Sequence, residues 1–228
     1  MLPDLNTKDV DAESLARQAR EDQEFLSKLV DGLSDRQERV GYNCLRALLL
    51  VADERPELLY PHWHVFVELL ARENTYFKLR GANTIAAIIG ADKENRFEQI
   101  FDQYLDLLDD KSVITASYIA GNSGKIARAK PGLQSRITSR LLSIDETHHP
   151  PERRDLLKGF AVEAFGQYFE ESDQKAEVLE FVTAQLESKS PKTRKIAKSF
   201  LKEWAAGSYT TVRGHPMEYA ESYPLRVA

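Results

Sequence analysis

A single cysteine, Cys44, stands in the whole chain, and with one thiol a disulfide framework is excluded. Cys44 lies between apolar neighbours in a helical pattern, which predicts a buried thiol and a reducing, cytoplasmic setting. Long apolar runs are also lacking: none approaches the roughly 18 residues that a membrane-crossing helix requires. The opening MLPDLNTKDV has neither the basic stretch nor the apolar core of a secretion signal. The expectation is a protein that is neither secreted nor inserted in a membrane. Histidine is scarce, with five residues. His62 and His64 flank Trp63, but side chains at i and i+2 of a helix diverge. His148 and His149 sit in a turn beside two prolines, and the sequence places no third ligand nearby. No H-E-x-x-H occurs, so neither metal nor cofactor is expected. A basic excess is missing as well. Net charge is −5, although residues 1–110 carry 13 Lys and Arg against 22 Asp and Glu, and residues 111–228 carry 18 against 14. Such asymmetry can steer an anionic partner to one end or favour head-to-tail association.

What the chain does contain is a repeat. Five helix starts are marked by a capping or turn residue: Ser34, Asn74, Ser112, His149 with Pro150 and Pro151, and Ser190 with Pro191. They are spaced by 40, 38, 37 and 41 residues. Ser34 and Gln37 have capping-box spacing, and Pro191 suits the first helical position, where its missing N–H is not needed. Before each start lies a second amphipathic stretch: FLSKLVDGL (25–33), YPHWHVFVELL (60–70), FEQIFDQYLDLL (97–108), LQSRITSRLLSI (133–144) and AEVLEFVTAQL (176–186). In the third of these, Phe97, Ile100, Phe101, Tyr104, Leu105 and Leu108 follow the spacing of one helical face. The pattern predicts an all-α chain of ten helices in five hairpins, over about 21–53, 56–91, 95–130, 132–170 and 172–205. One hairpin cannot bury its own apolar stripe, so neighbours must stack.

The period, the paired helices and the cap residues opening each second helix resemble the HEAT repeats, relatives of the armadillo repeats. Asn74, Leu79 and Arg80 stand at the family's Asp, Val and Arg positions, as do Asp35 and Val40 in the first repeat, where Gly41 replaces the Arg. The resemblance implies an α-α superhelix of the HEAT-like solenoid type over residues 21–205. Residues 1–20 read as a polar helical cap. Residues 206–228 lose helical periodicity and carry Tyr209, Tyr219 and Tyr223, either as an extended cap on the last repeat or as an intermolecular arm.

Two surfaces are candidates for binding. If the second helices line a concave face, as the resemblance implies, Asn43 lies about 160° from the buried Leu45 at 100° per residue and should point into the concavity. Asn83 and Asn122 recur at the same register, so Arg39, Asn43, Arg46, Arg80, Asn83 and Asn122 form a candidate surface for a peptide or partner helix. This is similar to the asparagine ladder of armadillo proteins, although Arg39, Leu79 and Tyr118 stand where that family places tryptophan. The alternative is that these amides are ordinary polar residues on a solvated helix face, or bond between adjacent repeats. The second surface is a basic edge of Arg36, Lys78, Arg153, Arg154, Lys158, Lys192, Arg194, Lys195 and Lys198, which could contact phosphates of a nucleic acid or pair with carboxylates of the neighbouring repeat.

Enzymatic motifs fail. In IAGNSGKIARAKPG (119–132), Ile119 and Ile126 occupy the first Gly and the hydroxyl position of a phosphate loop, and Lys125 replaces the last Gly of a nucleophile elbow. Gly121 and Gly124 read instead as a place where two helices approach closely, or as a hinge. A helical-repeat DNA glycosylase would need an acidic residue among aromatics in a cleft, and Trp63 and Trp204 lie at opposite ends of the repeats. The expected function is a non-enzymatic scaffold for a protein or peptide, with nucleic-acid binding as the alternative. The partner's identity and the oligomeric state are not legible.

Overall fold

The computed structural model describes residues 4–204, and among these every regular element is helical. The second helices of the hairpins are the long ones: α3 (Glu38–Glu54), α5 (Thr75–Ile88), α8 (Val113–Ala129), α10 (Pro151–Phe165) and α12 (Pro191–Trp204). They pack in chain order, α3 on α5, α5 on α8, α8 on α10 and α10 on α12. The first helices are shorter: α2 (Gln23–Gly32), α4 (Trp63–Leu70), α6 (Arg96–Gln99), α7 (Phe101–Leu105), α9 (Gln134–Leu142) and α11 (Lys175–Ala184). Of these, α2 lies against α3, α4 against α5, and α11 against α12, while α9 touches both α8 and α10. The core runs between the two sets and includes Leu29, Leu48, Phe66, Ile85, Phe97, Ile119, Phe165 and Val182, each fully buried.

The helix α1 (Ala12–Glu21) packs on both α3 and α2. Leu15, Ala16 and Ala19 supply its buried face. Asp11 caps α1 by accepting the Ser14 N–H at 3.0 Å, and Asp22 caps α2 by accepting the Phe25 N–H at 3.0 Å. Residues 206–228, expected as a cap or an arm, lie outside the described residues.

Two local expectations change. Ser34 does not cap α3. Gln37 is the N-cap, and the Asp35 carboxylate accepts the Gln37 N–H at 2.7 Å, because the Arg80 guanidinium takes carbonyls of that turn. The stretch 97–108 is not one helix. It closes tightly at Ile100, whose N–H donates to Phe97 O at 3.0 Å, and continues as α7 and a 3₁₀ turn, Asp106–Asp109. This tightening keeps three rings inside: Phe97 meets Tyr104 at 5.3 Å and Phe101 at 6.2 Å in edge contacts. At Gly124 the close packing of helices is explicit, since a Cβ there would lie 2.7 Å from Ala164 O on α10.

Candidate interaction surface

The amide register begins on α3, where Asn43 is 2% exposed rather than open to solvent. Its Nδ2 donates to Leu5 O at 3.0 Å and to Thr7 O at 3.1 Å, and Arg39 donates to Asn6 O at 3.3 Å. These two side chains hold the carbonyls of a non-helical stretch, and that stretch is the chain's own N-terminal segment. The expectation that Asn43 faces an open concavity is therefore corrected: Leu5 is itself part of the core, and its burial brings residues 5–7 over the amide. Asn122 is also buried and donates to Asn83 Oδ1 at 3.0 Å, which ties α8 to α5. Asn83 is half-buried, and Arg46 lies over the Tyr42 ring at 5.9 Å.

Asn43→Ala should thus lower stability, by about 1–3 kcal/mol, because two carbonyls lose their donor in a buried setting. Chemical denaturation measures the loss, and an unchanged midpoint would mean that water replaces the amide.

Arg80 is 4% exposed. Its guanidinium donates to Leu33 O at 2.8 Å, Asp35 O at 3.0 Å and Glu38 O at 3.2 Å, and it stands 5.2 Å from the Phe77 ring. Burial holds its pKa below the ordinary arginine value. The space it fills exists because residue 41 is glycine: a Cβ there would lie 2.0 Å from Arg80 Cζ. Arg80 is accordingly a clamp on the preceding turn, and its donors do not reach a groove.

Most of the expected basic edge is engaged within the chain. Lys78 pairs with Asp110, Lys158 with Asp145 at 2.7 Å, and Arg154 donates to the Asp145 carbonyl. Lys192 lies 4.4 Å above the Phe160 ring, and it opposes the burial that raises the pKa of Glu163. Arg36 and Arg153 are exposed. Beside these two, exposed cations gather on one side of α12. Arg194, Lys195, Lys198 and Lys202, with Pro191 and Ser199, line an open surface groove. Arg194 donates to Ser188 O at 2.5 Å. Lys195, Lys198 and Lys202 are exposed and have no carboxylate partner among the described residues.

Sequence reasoning missed the carboxylates. Asp92 has a fully buried side chain. It accepts from Tyr60 Oη at 2.7 Å, the Arg96 N–H at 2.8 Å and the Phe97 N–H at 3.0 Å, and it pairs with Lys130 Nζ at 2.9 Å. Burial alone would raise its pKa, but the Phe97 N–H, Lys130, the Tyr60 hydroxyl and the Arg96 N–H outweigh it and bring the carboxyl below its ordinary value. Lys130 also donates to Asp92 O at 2.9 Å and Asn95 Oδ1 at 2.8 Å. Asn95 takes the left-handed conformation, φ 55°, that lets its side chain reach this point. The signal that could have found these partners was the period itself. Asp92 O and Lys130 are 38 residues apart, Asp109 and His148 are 39, Asn83 and Asn122 are 39, and Asp155 and Thr193 are 38.

The two histidine pairs differ. His62 and His64 do not converge with a third ligand among the described residues, and burial followed by the nearby His64 lowers the pKa of His62. His148 and His149, by contrast, meet Asp109 from the preceding layer. The Asp109 carboxyl is raised by burial, but the His148 N–H and ring outweigh that and bring it down. His149 is lowered by burial and by the adjacent His148. Cys44 is buried and free, and burial pushes its thiol up to about 12, with Arg80 opposing, so it is a poor nucleophile.

Among the described residues these features define an all-α arrangement of packed helices in which buried polar side chains such as Asn43, Arg80 and Lys130 bond carbonyls elsewhere in the chain. No protein-family model matches the chain, and no curated protein is similar to it. A solved crystal structure of an engineered protein is similar over 88% of this chain and 96% of its own, at 17% identity and a TM-score of 0.47.

Proposed function

We propose that the chain is a HEAT-like α-solenoid, residues 21–205 with α1 as its N-terminal cap, that serves as a non-enzymatic interaction module in the cytoplasm. The chain-order packing of the long helices and the polar bonds one period apart support the architecture. No helix among the described residues is long and apolar enough to cross a membrane. Arg39 and Asn43 show the chemistry by which a helical groove holds peptide carbonyls, but they are engaged with residues 5–7. The docking surface therefore moves to α12.

The observation that carries this is the stripe of Lys195, Lys198 and Lys202 beside Arg194, clustered on one groove without carboxylate partners among the described residues. Its occupant is an acidic segment of a partner protein. The stripe is one helix wide and about 12 Å long at 1.5 Å per residue, which suits a peptide, whereas a single DNA-binding module covers about 600–1,000 Å². Nucleic acid remains the second reading, since the same lysines would contact phosphates.

One titration separates the two. A fluorescent Glu-rich peptide and a single-stranded oligonucleotide are each titrated with the full chain and with the Lys195→Gln/Lys198→Gln/Lys202→Gln variant. The proposal expects the peptide to bind, to weaken with salt, and to lose at least about tenfold in the variant, each lost ion pair contributing up to about 1 kcal/mol. Tighter binding of the oligonucleotide, or peptide binding that is indifferent to the triple substitution, overturns the acidic-peptide assignment.

A further inference from the structure

Where the Asp106–Asp109 turn meets residues 147–150, three groups able to ligate a metal converge from two consecutive layers. Asp109 Oδ1 accepts the His148 N–H at 2.7 Å and stands 2.5 Å from His148 Nδ1. The His149 ring lies 4.5 Å from the His148 ring, tilted by 33°. One potential ligand atom from each residue falls within 4.8 Å of the other two. His149 is 5% exposed, and its Nε2 lies 3.2 Å from Leu108 O. In the tautomer that donates to this carbonyl, His149 Nδ1 keeps a lone pair, an arrangement typical of metal-ligating histidine.

We propose that Asp109, His148 and His149 form a binding site for one divalent transition-metal ion of the zinc, cobalt or nickel class. Two imidazole nitrogens and one carboxylate oxygen suit these borderline ions, whereas magnesium and calcium prefer an all-oxygen set. The ion takes the place of the proton between Asp109 Oδ1 and His148 Nδ1, so that both groups enter it as carboxylate and neutral imidazole. Ligand atoms around an ion at about 2.0–2.1 Å stand roughly 3 Å apart, so the trio has to close by about 1–2 Å from its present limit. The exposed halves of Asp109 and His148, 52% and 53% of their side chains, leave the remaining coordination positions to water or to a ligand from another molecule. Backbone placement is already fixed, because the His148 N–H is held by Asp109 and Pro150 and Pro151 follow at the start of α10. The site joins the third and fourth hairpins and is independent of the α12 stripe.

The test is isothermal titration of the full chain with zinc chloride and with magnesium chloride at neutral pH, supported by the visible spectrum of the cobalt-loaded protein. One equivalent of zinc is expected to bind, magnesium is not, and His148→Ala, His149→Ala and Asp109→Ala should each lose at least about tenfold, with His62→Ala unchanged. His148 is half exposed, so His148→Ala keeps the test valid if the Asp109 variant fails to fold, and circular dichroism checks both. Absence of a stoichiometric zinc site, equal binding of magnesium, or full affinity in His148→Ala would overturn the assignment.

Discussion

Lys130→Met is expected to destabilise the fold by about 3–5 kcal/mol, the loss that follows when one partner of a buried ion pair is removed. The Lys130 side chain is 10% exposed and that of Asp92 is not exposed at all. Without the ammonium, Asp92 keeps three neutral donors but loses its counter-charge, and Asp92 O and Asn95 Oδ1 lose a donor as well. For a protein of this size the change corresponds to a fall in Tm of about 10 °C. Asp92→Asn should be similarly severe, because an amide cannot accept from both oxygens, and the double variant should lose less than the sum of the two. The pH dependence has a definite sign. The folded-state pKa of Asp92 lies below its ordinary value, so its contribution is fully present above the unfolded pKa near about 3.9 and is lost as pH falls below that. A K130M midpoint within experimental error of the parent would mean that the cluster opens to water.

The second large effect is a reversal of sign. In the parent chain, Gly41→Ala places a methyl where the Arg80 guanidinium sits, 2.0 Å from Cζ, and the cation must leave three carbonyls to make room. A loss of about 3 kcal/mol is expected, comparable with Arg80→Ala, since hydrogen bonds to a charged group contribute about 1.5–3 kcal/mol each before the remaining groups relax. In an Arg80→Ala background the same methyl enters vacated space, and alanine is favoured over glycine inside a helix by about 0.5–1 kcal/mol. Gly41→Ala should then be neutral or stabilising. Urea denaturation of the four proteins of the cycle measures this, and strict additivity would show that Arg80 and Gly41 do not share the space.

This pair also shows how far the sequence could be read. The positions of helices α2 to α5 and α8 to α12 follow from apolar spacing and from cap residues such as Asn74, whose side-chain Oδ1 accepts the Tyr76 N–H at 2.8 Å. Pro191 marks a helix start in the sequence, and α12 begins there. Side-chain direction was not legible to the same degree. An angle of about 160° from Leu45 points Asn43 toward an open face, but the burial of Leu5, which brings the N-terminal segment over the amide, depends on contacts that a local pattern does not encode. Gly41, at a position where the resemblance expects Arg, leaves the space that admits Arg80 of α5. In the same way, His148 and His149 lacked a third ligand only within their own segment; Asp109 stands 39 residues earlier, one period away.

The distinction between cations that join layers and cations left free on α12 is the basis of the proposed function. Urea denaturation of K130M beside the Lys195→Gln/Lys198→Gln/Lys202→Gln chain tests it most directly. The account predicts a loss of about 3–5 kcal/mol for the first and a change within about 0.5 kcal/mol per site for the second, as for exposed side chains without partners. Comparable losses in both proteins would show that the α12 lysines are structural, and the docking surface assigned to them would then have no basis.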